Sequence, residues 1–448
     1  MTMGETMWRL TVSIAAVVVA LSLAARLASA FFDKLSWLSI AALIVLLISA
    51  GLLFFFRWMV RRERMERRES IEIRHSTDPS LDWGADLPSP RAPRGDTSPM
   101  VPDGVKAVRK VMFATTRQVN EPRGEVRLDL EKVVHHWRAS LRYGRAWVSI
   151  PEAHKLGVVE RPKPDWKFLW LKKQPEDIAE HFTLLELWKL SEDTFYEEIR
   201  NAYRTTALVF VHGYNVSFAE AIYRSAQIAF DTNFPGHVIC FSWPSHGSIP
   251  MYDYDREKAF ASGPGLRQLL RQLKTEGQID NIFLVAHSLG SQVVVHALEQ
   301  AAGIKLPEII FGAPDVDRDV FLSRADLIRD AAGGLTIYAS AADKALMVSK
   351  LKAGGVPRAG DVPAEGPLLI PGFDTIDVTA VGEDMFALNH GTFSSDRSVL
   401  DDLGRIIIRR DRPPHERTPI LQRMRLQRTL TLQLQTEESP SEYWMFPY

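Results

Sequence analysis

The chain has 448 residues, 46% of them hydrophobic and 24% charged, which allows a large core with additional segments and excludes a fibrous or wholly disordered polypeptide. Its 54 Lys and Arg against 55 Asp and Glu leave a net charge of -1, so nothing in the overall balance calls for nucleic acid or another polyanion. The single Cys240 cannot close an intrachain disulfide and lies in the apolar run "HVICFSW", where it reads as core; neither redox nor zinc chemistry is expected.

The first elements in chain order are two apolar stretches, "LTVSIAAVVVALSLAARLASAFF" (10–32) and "WLSIAALIVLLISAGLLFFFRWMV" (37–60). Each is long enough to cross the roughly 30 Å hydrocarbon layer as a helix, and the intervening "DKLS" makes them a hairpin of two transmembrane helices. Arg26 sits near the end of the first span, where a long side chain can snorkel to the interface. A signal peptide is the alternative for that span, because "ASA" at 28–30 resembles a cleavage site. The next segment, "RRERMERRES" (61–70), carries Arg61, Arg62, Arg64, Arg67 and Arg68, the densest basic cluster beside either span. By the positive-inside rule this cluster, and the soluble part of the chain after it, lie on the cytoplasmic side of the inner membrane. Residues 76–102 are rich in Pro, Ser, Asp and Gly without sustained periodicity and read as the end of a linker running over 61–104.

A soluble domain is expected over 105–410. Strand candidates recur as "KVMFAT", "RAWVSI", "FTLLELW", "TALVFV", "HVICFSW", "NIFLVA", "EIIFGA", "LTIYAS" and "FDTIDVT". From Thr206 onward, amphipathic segments such as "SFAEAIYRSAQIAFDT", "GLRQLLRQLKTEG" and "SQVVVHALEQAAG" lie between them. That alternation predicts an α/β fold with a mostly parallel central sheet, helices on both faces and ligands at the carboxyl ends of the strands. The first three strands lack intervening helices and predict an antiparallel edge. A tail over 411–448 begins with a proline break and continues with Leu430, Leu432 and Leu434 in alternation, which suits either an added strand or a docked arm.

Within this frame "VAHSLGS" (285–291) is a tight strand-to-helix turn. A serine there presents its hydroxyl at the carboxyl edge of the sheet, while the Leu289 N–H and the helix dipole favour a developing oxyanion. Ser288 is therefore the candidate nucleophile, with helix capping as the bland alternative. The turn wants small neighbours, which Gly290 supplies; Ala286 stands where the G-x-S-x-G pattern has its first glycine. "VFVHGYN" (209–215) ends an earlier strand and brings a second backbone N–H, from Tyr214, toward the same oxyanion, with His212 structural.

The candidate general base is His390 in "ALNHGTFSS", because it follows the last strand candidate and precedes a helical run. His415 lies in the charged tail, and His135, His136, His154 and His181 precede the nucleophile. The acid is either Asp343, just beyond the strand "LTIYAS", or Asp315 or Asp317, beyond "EIIFGA".

The ordered set "ATTR", "YGRAWVSIP", "VFVHGYN", "FSWPS", "VAHSLGSQ", "FGAPDVDRDVF", "YASAADKAL" and "NHGTF" resembles the α/β-hydrolase superfamily, and within it a poorly characterised, mainly bacterial esterase- or lipase-like branch. The resemblance implies nucleophile Ser288, acid Asp343, base His390, no cofactor and no metal. The reading is a membrane-anchored serine hydrolase of small or lipid-like carboxylic esters, with no nucleic-acid partner. Acyl transfer on the same triad and a non-catalytic, membrane-tethered interaction module are the alternatives.

Overall fold

The computed structural model describes residues 99–120, 127–128, 130, 133–162, 176–247, 251–299, 303–341, 356–381, 396–426 and 442–447, all within the compact unit Pro88–Tyr448. The two expected membrane spans, the basic cluster, Asp343, His390 and the Leu430 to Leu434 alternation lie outside the described residues. Among the described residues no helix is long and apolar enough to cross a membrane.

The described residues build an 11-stranded sheet. In chain order these are β1 (Val105–Val119), β2 (Val133–Pro151), β3 (Thr183–Leu190), β4 (Thr206–Val211), β5 (His237–Ser242) and β6 (Asn281–His287). They continue with β7 (Leu306–Gly312), β8 (Ala332–Ala339), β9 (Asp374–Asp377), β10 (Gln422–Arg425) and β11 (Glu442–Met445). Across the sheet the order is β10-β11-β9-β8-β7-β6-β4-β5-β1-β2-β3. Strands β4 to β9 run parallel to their neighbours, β1 joins parallel to β5, and β1, β2 and β3 form the antiparallel edge. All nine strand candidates are present. The central ones read as unbroken apolar runs because helices cover both faces: in "TALVFV" and "NIFLVAH" every residue after the first is buried.

The helices are α1 (Glu192–Asn201), α2 (Phe218–Asp231), α3 (Tyr252–Thr275), α4 (Gly290–Leu298), α5 (Arg318–Ser323), α6 (Ala325–Ala331), α7 (Asp396–Gly404) and α8 (Pro414–Arg417). Sequence periodicity did not announce α1, although the Ser191 cap and the buried Phe195, Tyr196 and Ile199 are its signature. In α2 the reciprocal capping box of Ser217 and Glu220 sets the start. Helix α3 begins well before the expected Gly265 and runs through Pro264. The flanking glycines explain the choice of residues there. A Cβ at Gly263 would lie 2.8 Å from His296 Cβ, and one at Gly265 would lie 2.9 Å from Thr116 Cγ2, so this stretch is where α3 presses on α4 and β1.

Residues beyond 410 add strands rather than only an arm. Strand β11 pairs parallel with β9 and antiparallel with β10. Between them and α7, the guanidinium of Arg417 is fully buried and donates from Nε to Asp402 Oδ1 at 2.9 Å, while Tyr338 Oη donates to Asp402 Oδ2 at 2.5 Å. The ion pair and its hydrogen bonds compensate two charges removed from water.

A second buried ion cluster ties the end of β2 to α2. His154 Nδ1 lies 3.0 Å from Glu160 Oε2, and its Nε2 lies 2.7 Å from Asp231 Oδ1. Burial alone depresses an imidazole pKa, but hydrogen bonds to and charges of Asp231 and Glu160 outweigh it and raise His154 to about 9. Its pKa in the folded chain thus exceeds the unfolded value of about 6.5. The stabilisation is complete below about pH 6.5 and is lost as pH rises through about 9. Denaturant unfolding at graded pH is expected to show stability falling by roughly 1–3 kcal/mol over that window, and His154→Gln should remove most of the fall. A slope identical in both proteins would dissociate it from His154.

Candidate active site at the β4 and β6 strand ends

Strand order reverses at β4, whose following strand β5 lies on one side and whose later neighbour β6 lies on the other. In doubly wound sheets such a reversal opens a crevice at the carboxyl ends of the strands, and here it brings "HGY" after β4 beside "HSLG" after β6. A Cβ placed on Gly213 would lie 3.0 Å from Ser288 Cβ, so the two turns are in direct contact.

Ser288 has φ +49°, in the left-handed region that L-residues seldom occupy. The turn is held on both sides: Ser288 N–H donates to Gly312 O at 2.8 Å, while Ser288 O accepts from Ser291 N–H at 3.0 Å and Asp315 N–H at 3.1 Å. Helix α4 starts immediately, with Leu289 at its N-cap position and no side-chain cap. Ser288 is only 1% exposed, and its Oγ has no hydrogen-bond partner among the described residues. The helix-capping alternative therefore fails on two counts, since a capping serine has extended backbone and an occupied hydroxyl.

Gly290 is required by the neighbouring strand. A Cβ there would sit 2.5 Å from His212 O and 2.6 Å from Val211 O, both backbone atoms at the end of β4. Ala286, by contrast, is accommodated: it is fully buried in the core and pairs with Val211 on one side and Phe311 on the other. The methyl group at the motif's first small position fills core space beneath the turn.

His212 is structural, as its place in the strand end suggests. Its ring stacks on Trp243 with centroids 4.9 Å apart, Trp243 Nε1–H donates to His212 O at 2.7 Å, and the ring nitrogens lie 3.0 and 3.1 Å from the Gly213 and Trp243 carbonyl oxygens. Burial and the nearby charge of Arg117 push its imidazole down to about 3, so it is neutral at physiological pH. His287, beside Ser288, is likewise pushed to about 3 by burial and Arg224.

The "HGYN" turn is shaped by two buried charges that sequence reasoning did not single out. Asn215 adopts φ +57°, and its N–H donates to Asp255 Oδ2 at 3.2 Å. Asp255 is fully buried near the start of α3 and also accepts from Ser245 Oγ at 2.5 Å and His246 N–H at 2.7 Å. Burial raises its pKa, and these hydrogen bonds and Arg117 counter that. Arg117, from the "ATTR" run on β1, is itself buried and donates to Ser242 Oγ, Ser245 O and Val216 O at 2.9, 3.0 and 2.9 Å. The only available signal was that an Arg lay in an otherwise buried strand. Tyr214 follows in the same turn, its ring edge-on to Tyr252 at 5.3 Å between centroids.

Of the three acid candidates, two are described. Asp315 is fully buried, with Oδ1 3.3 Å from Arg358 Nε and Oδ2 accepting from Tyr252 Oη at 2.9 Å. Asp317 caps α5, its Oδ1 accepting from the N–H groups of Asp319 and Val320 at 3.0 and 3.2 Å. Asp343 and the base candidate His390 lie outside the described residues, although the strand leading to Asp343, β8, is in place beside β7. Among the rejected histidines, His154 is locked in its carboxylate clamp and His415 stacks on Trp444 at 4.6 Å. Among the described residues no cluster of His, Cys, Asp and Glu could hold a metal ion.

Comparison with known proteins agrees with this layout at the level of family. A stretch of 60 residues is 42% identical to the uncharacterized protein alr1448 of Nostoc sp. (strain PCC 7120 / SAG 25.82 / UTEX 2576); it makes up 13% of this chain and spans 16% of that relative's length. A crystal structure of an uncharacterized protein from Bacillus cereus ATCC 10987 is 12% identical, covers 46% of this chain and 61% of its own, and has a TM-score of 0.28. Residues 189–410 match the family described as "Alpha/beta hydrolase of unknown function (DUF900)" and contain β4 to β9 with both turns of the crevice. This segment, just under half of the chain, matches an α/β-hydrolase family whose function is unknown.

Proposed function

We propose that the protein is a serine hydrolase acting on carboxylic esters. The observation that carries this reading is Ser288: a buried hydroxyl without a hydrogen-bond partner among the described residues, on a left-handed residue at the carboxyl edge of the sheet. A core position that needed only bulk would not hold a polar atom unsatisfied at that cost. His390 takes the Ser288 proton as Oγ attacks the ester carbonyl carbon. The carbonyl oxygen becomes an alkoxide held by the N–H groups of Tyr214 and Leu289, the latter free of an intrahelical partner at the start of α4. Collapse expels the alcohol with the proton returned by His390. Water, deprotonated by the same imidazole, then attacks the acyl-enzyme, releasing the carboxylic acid and restoring Ser288.

Asp343 is assigned as the acid that orients His390. The alternatives support this by their own contacts: Asp315 faces Arg358 and Tyr252, and Asp317 is committed to capping α5. The apolar stretches at 10–32 and 37–60 anchor the enzyme as a membrane hairpin, and the adjoining arginines keep the hydrolase on the cytoplasmic face of the inner membrane. An anchored hydrolase meets lipid-like esters most often, which makes these the favoured substrate class.

Full-length protein purified in detergent is expected to label with a fluorophosphonate probe and to hydrolyse p-nitrophenyl esters. Ser288→Ala should abolish labelling and lower turnover by about 10³-fold or more. A folded wild-type protein that never labels would sink the proposal. Asp343→Asn is expected to lose about 10²- to 10⁴-fold in kcat, and unchanged turnover would transfer the acid role to Asp315.

Gly290→Ala tests the turn itself. Forcing a methyl against the β4 carbonyls should cost about 1–3 kcal/mol in denaturant unfolding and reduce probe labelling, whereas wild-type values in both assays would show that the turn tolerates a side chain.

A further inference from the structure

At the end of the sheet opposite Ser288 lies a cavity of about 150 Å³ at the amino ends of β4 and β5. Its walls include Arg109 and Lys110 of β1, Trp147 of β2, Arg204 just before β4, and Phe234 and His237 around the start of β5. The cavity is cationic and poorly compensated. Among the described residues no carboxylate pairs with Arg109 or Arg204. Lys110 does have a partner, Glu198 at 2.9 Å, but that carboxylate also serves Arg145. Arg109 lies over the Phe230 ring, 5.5 Å from its centroid, and its buried Nε has no hydrogen-bond partner among the described residues.

His237 is the second unsatisfied group. It is 8% exposed, and its Nε2 has no hydrogen-bond partner among the described residues. Burial, then the charges of Arg204 and Lys110, push its imidazole down to about 4. It is therefore a neutral ring, a hydrogen-bond acceptor at Nε2 set among cations. Arg204 is exposed and keeps its hydration, but the orphaned buried atoms Arg109 Nε and His237 Nε2 are destabilising unless something satisfies them.

We propose that this cavity binds a phosphate group, held by the guanidinium groups of Arg109 and Arg204 and by His237 Nε2, with Trp147 and Phe234 facing whatever the phosphate is attached to. The donor set selects the ligand. Two guanidinium groups require oxygen acceptors, and a neutral Nε2 requires a donor. Hydrogen phosphate satisfies both, because its P–OH can donate to the imidazole while its remaining oxygens accept from arginine. Sulfate and carboxylate are acceptors only at neutral pH. Inorganic phosphate keeps that P–OH in both of its forms at neutral pH, whereas a phosphomonoester, with a second pKa of about 6, carries it only as the monoanion. The site is independent of the hydrolase reading, since none of its residues lies at the carboxyl edge of the sheet.

The test is calorimetric titration and thermal unfolding of the full-length protein in detergent at pH 7 and low salt. Sodium phosphate is compared with sodium sulfate at equal ionic strength, and phenyl phosphate with inorganic phosphate to separate the two sources. Saturable phosphate binding at millimolar concentration or below is expected, with sulfate at least about tenfold weaker. Arg109→Gln and Arg204→Gln, on different elements, should each weaken phosphate binding about tenfold or more. His237→Phe should narrow the preference for phosphate over sulfate, and Ser288→Ala should bind as the wild type does. Circular dichroism of each variant distinguishes lost binding from lost folding. The proposal is overturned if folded wild-type protein binds no phosphate, if both arginine variants bind as well as wild type, or if only Ser288→Ala abolishes binding.

Discussion

The left-handed turn at Ser288 is the constraint around which the carboxyl edge of this sheet is organised. An L-residue at φ +49° costs about 1–2 kcal/mol locally, and such strain persists only when its surroundings over-determine it. Here they do. The amide of Ser288 is hydrogen bonded to the end of β7 and its carbonyl to the loop after β7 and the first turn of α4, and Gly290 lets α4 rise directly against the carbonyls that end β4. The side chain of Ser288, like that of Ser291, is left without a hydrogen-bond partner among the described residues. Tight backbone satisfaction and an unsatisfied hydroxyl on the same residue are what separates this turn from an ordinary strand-to-helix connection.

A second layer of control comes from buried charge. Arg117 and Asp255 both reach the segments 212–216 and 242–246, one donating to carbonyl oxygens and the other accepting from N–H groups. A backbone turn carrying oxyanion donors must keep its dipoles aimed in a water-poor site, and charge-assisted hydrogen bonds do this more strongly than neutral ones. The residues involved, from "ATTR", "FSWPS" and the first turn of α3, are far apart in sequence. Their conjunction exists only because β1 lies next to β5, whose end meets the turn after β4.

The two ends of the sheet differ in kind. At the carboxyl ends of β4 and β6, Asp315 is paired with Arg358, and the unsatisfied groups include the neutral hydroxyl of Ser288. At the amino ends of β4 and β5, arginines face a cavity with no carboxylate paired to them among the described residues. Parallel strands align the peptide units of flanking helices in one sense, so the two edges of such a sheet present different chemistry to ligands. A single fold can thereby carry separate sites with no shared residue.

Much of the fold was legible in the sequence because burial on both faces forces parallel strands to be unbroken apolar runs, and "TALVFV" and "NIFLVAH" can be little else. The nucleophile candidate was equally legible, since Ser288 needs only its local strand, turn and glycine to be recognised. What could not be read locally were the boundaries and partners that depend on distant chain. Helix α3 runs through Pro264 because flanking glycines let it pack on α4 and β1, a reason invisible to periodicity. Strands β10 and β11 exist because β9 offers an open edge, and Asp402 with Arg417 locks the segment before them in place. Asp255 and Arg117 looked like any charged residues in a turn and a strand. The amino-acid sequence by itself determined the alternation of elements and the chemistry at Ser288, because those rest on interactions among near neighbours. The burial of Arg117 and Asp255, the pairing of Asp315 with Arg358, and the cationic cavity around His237 were decided by tertiary structure alone, because each joins side chains that only the order of strands in the sheet brings together.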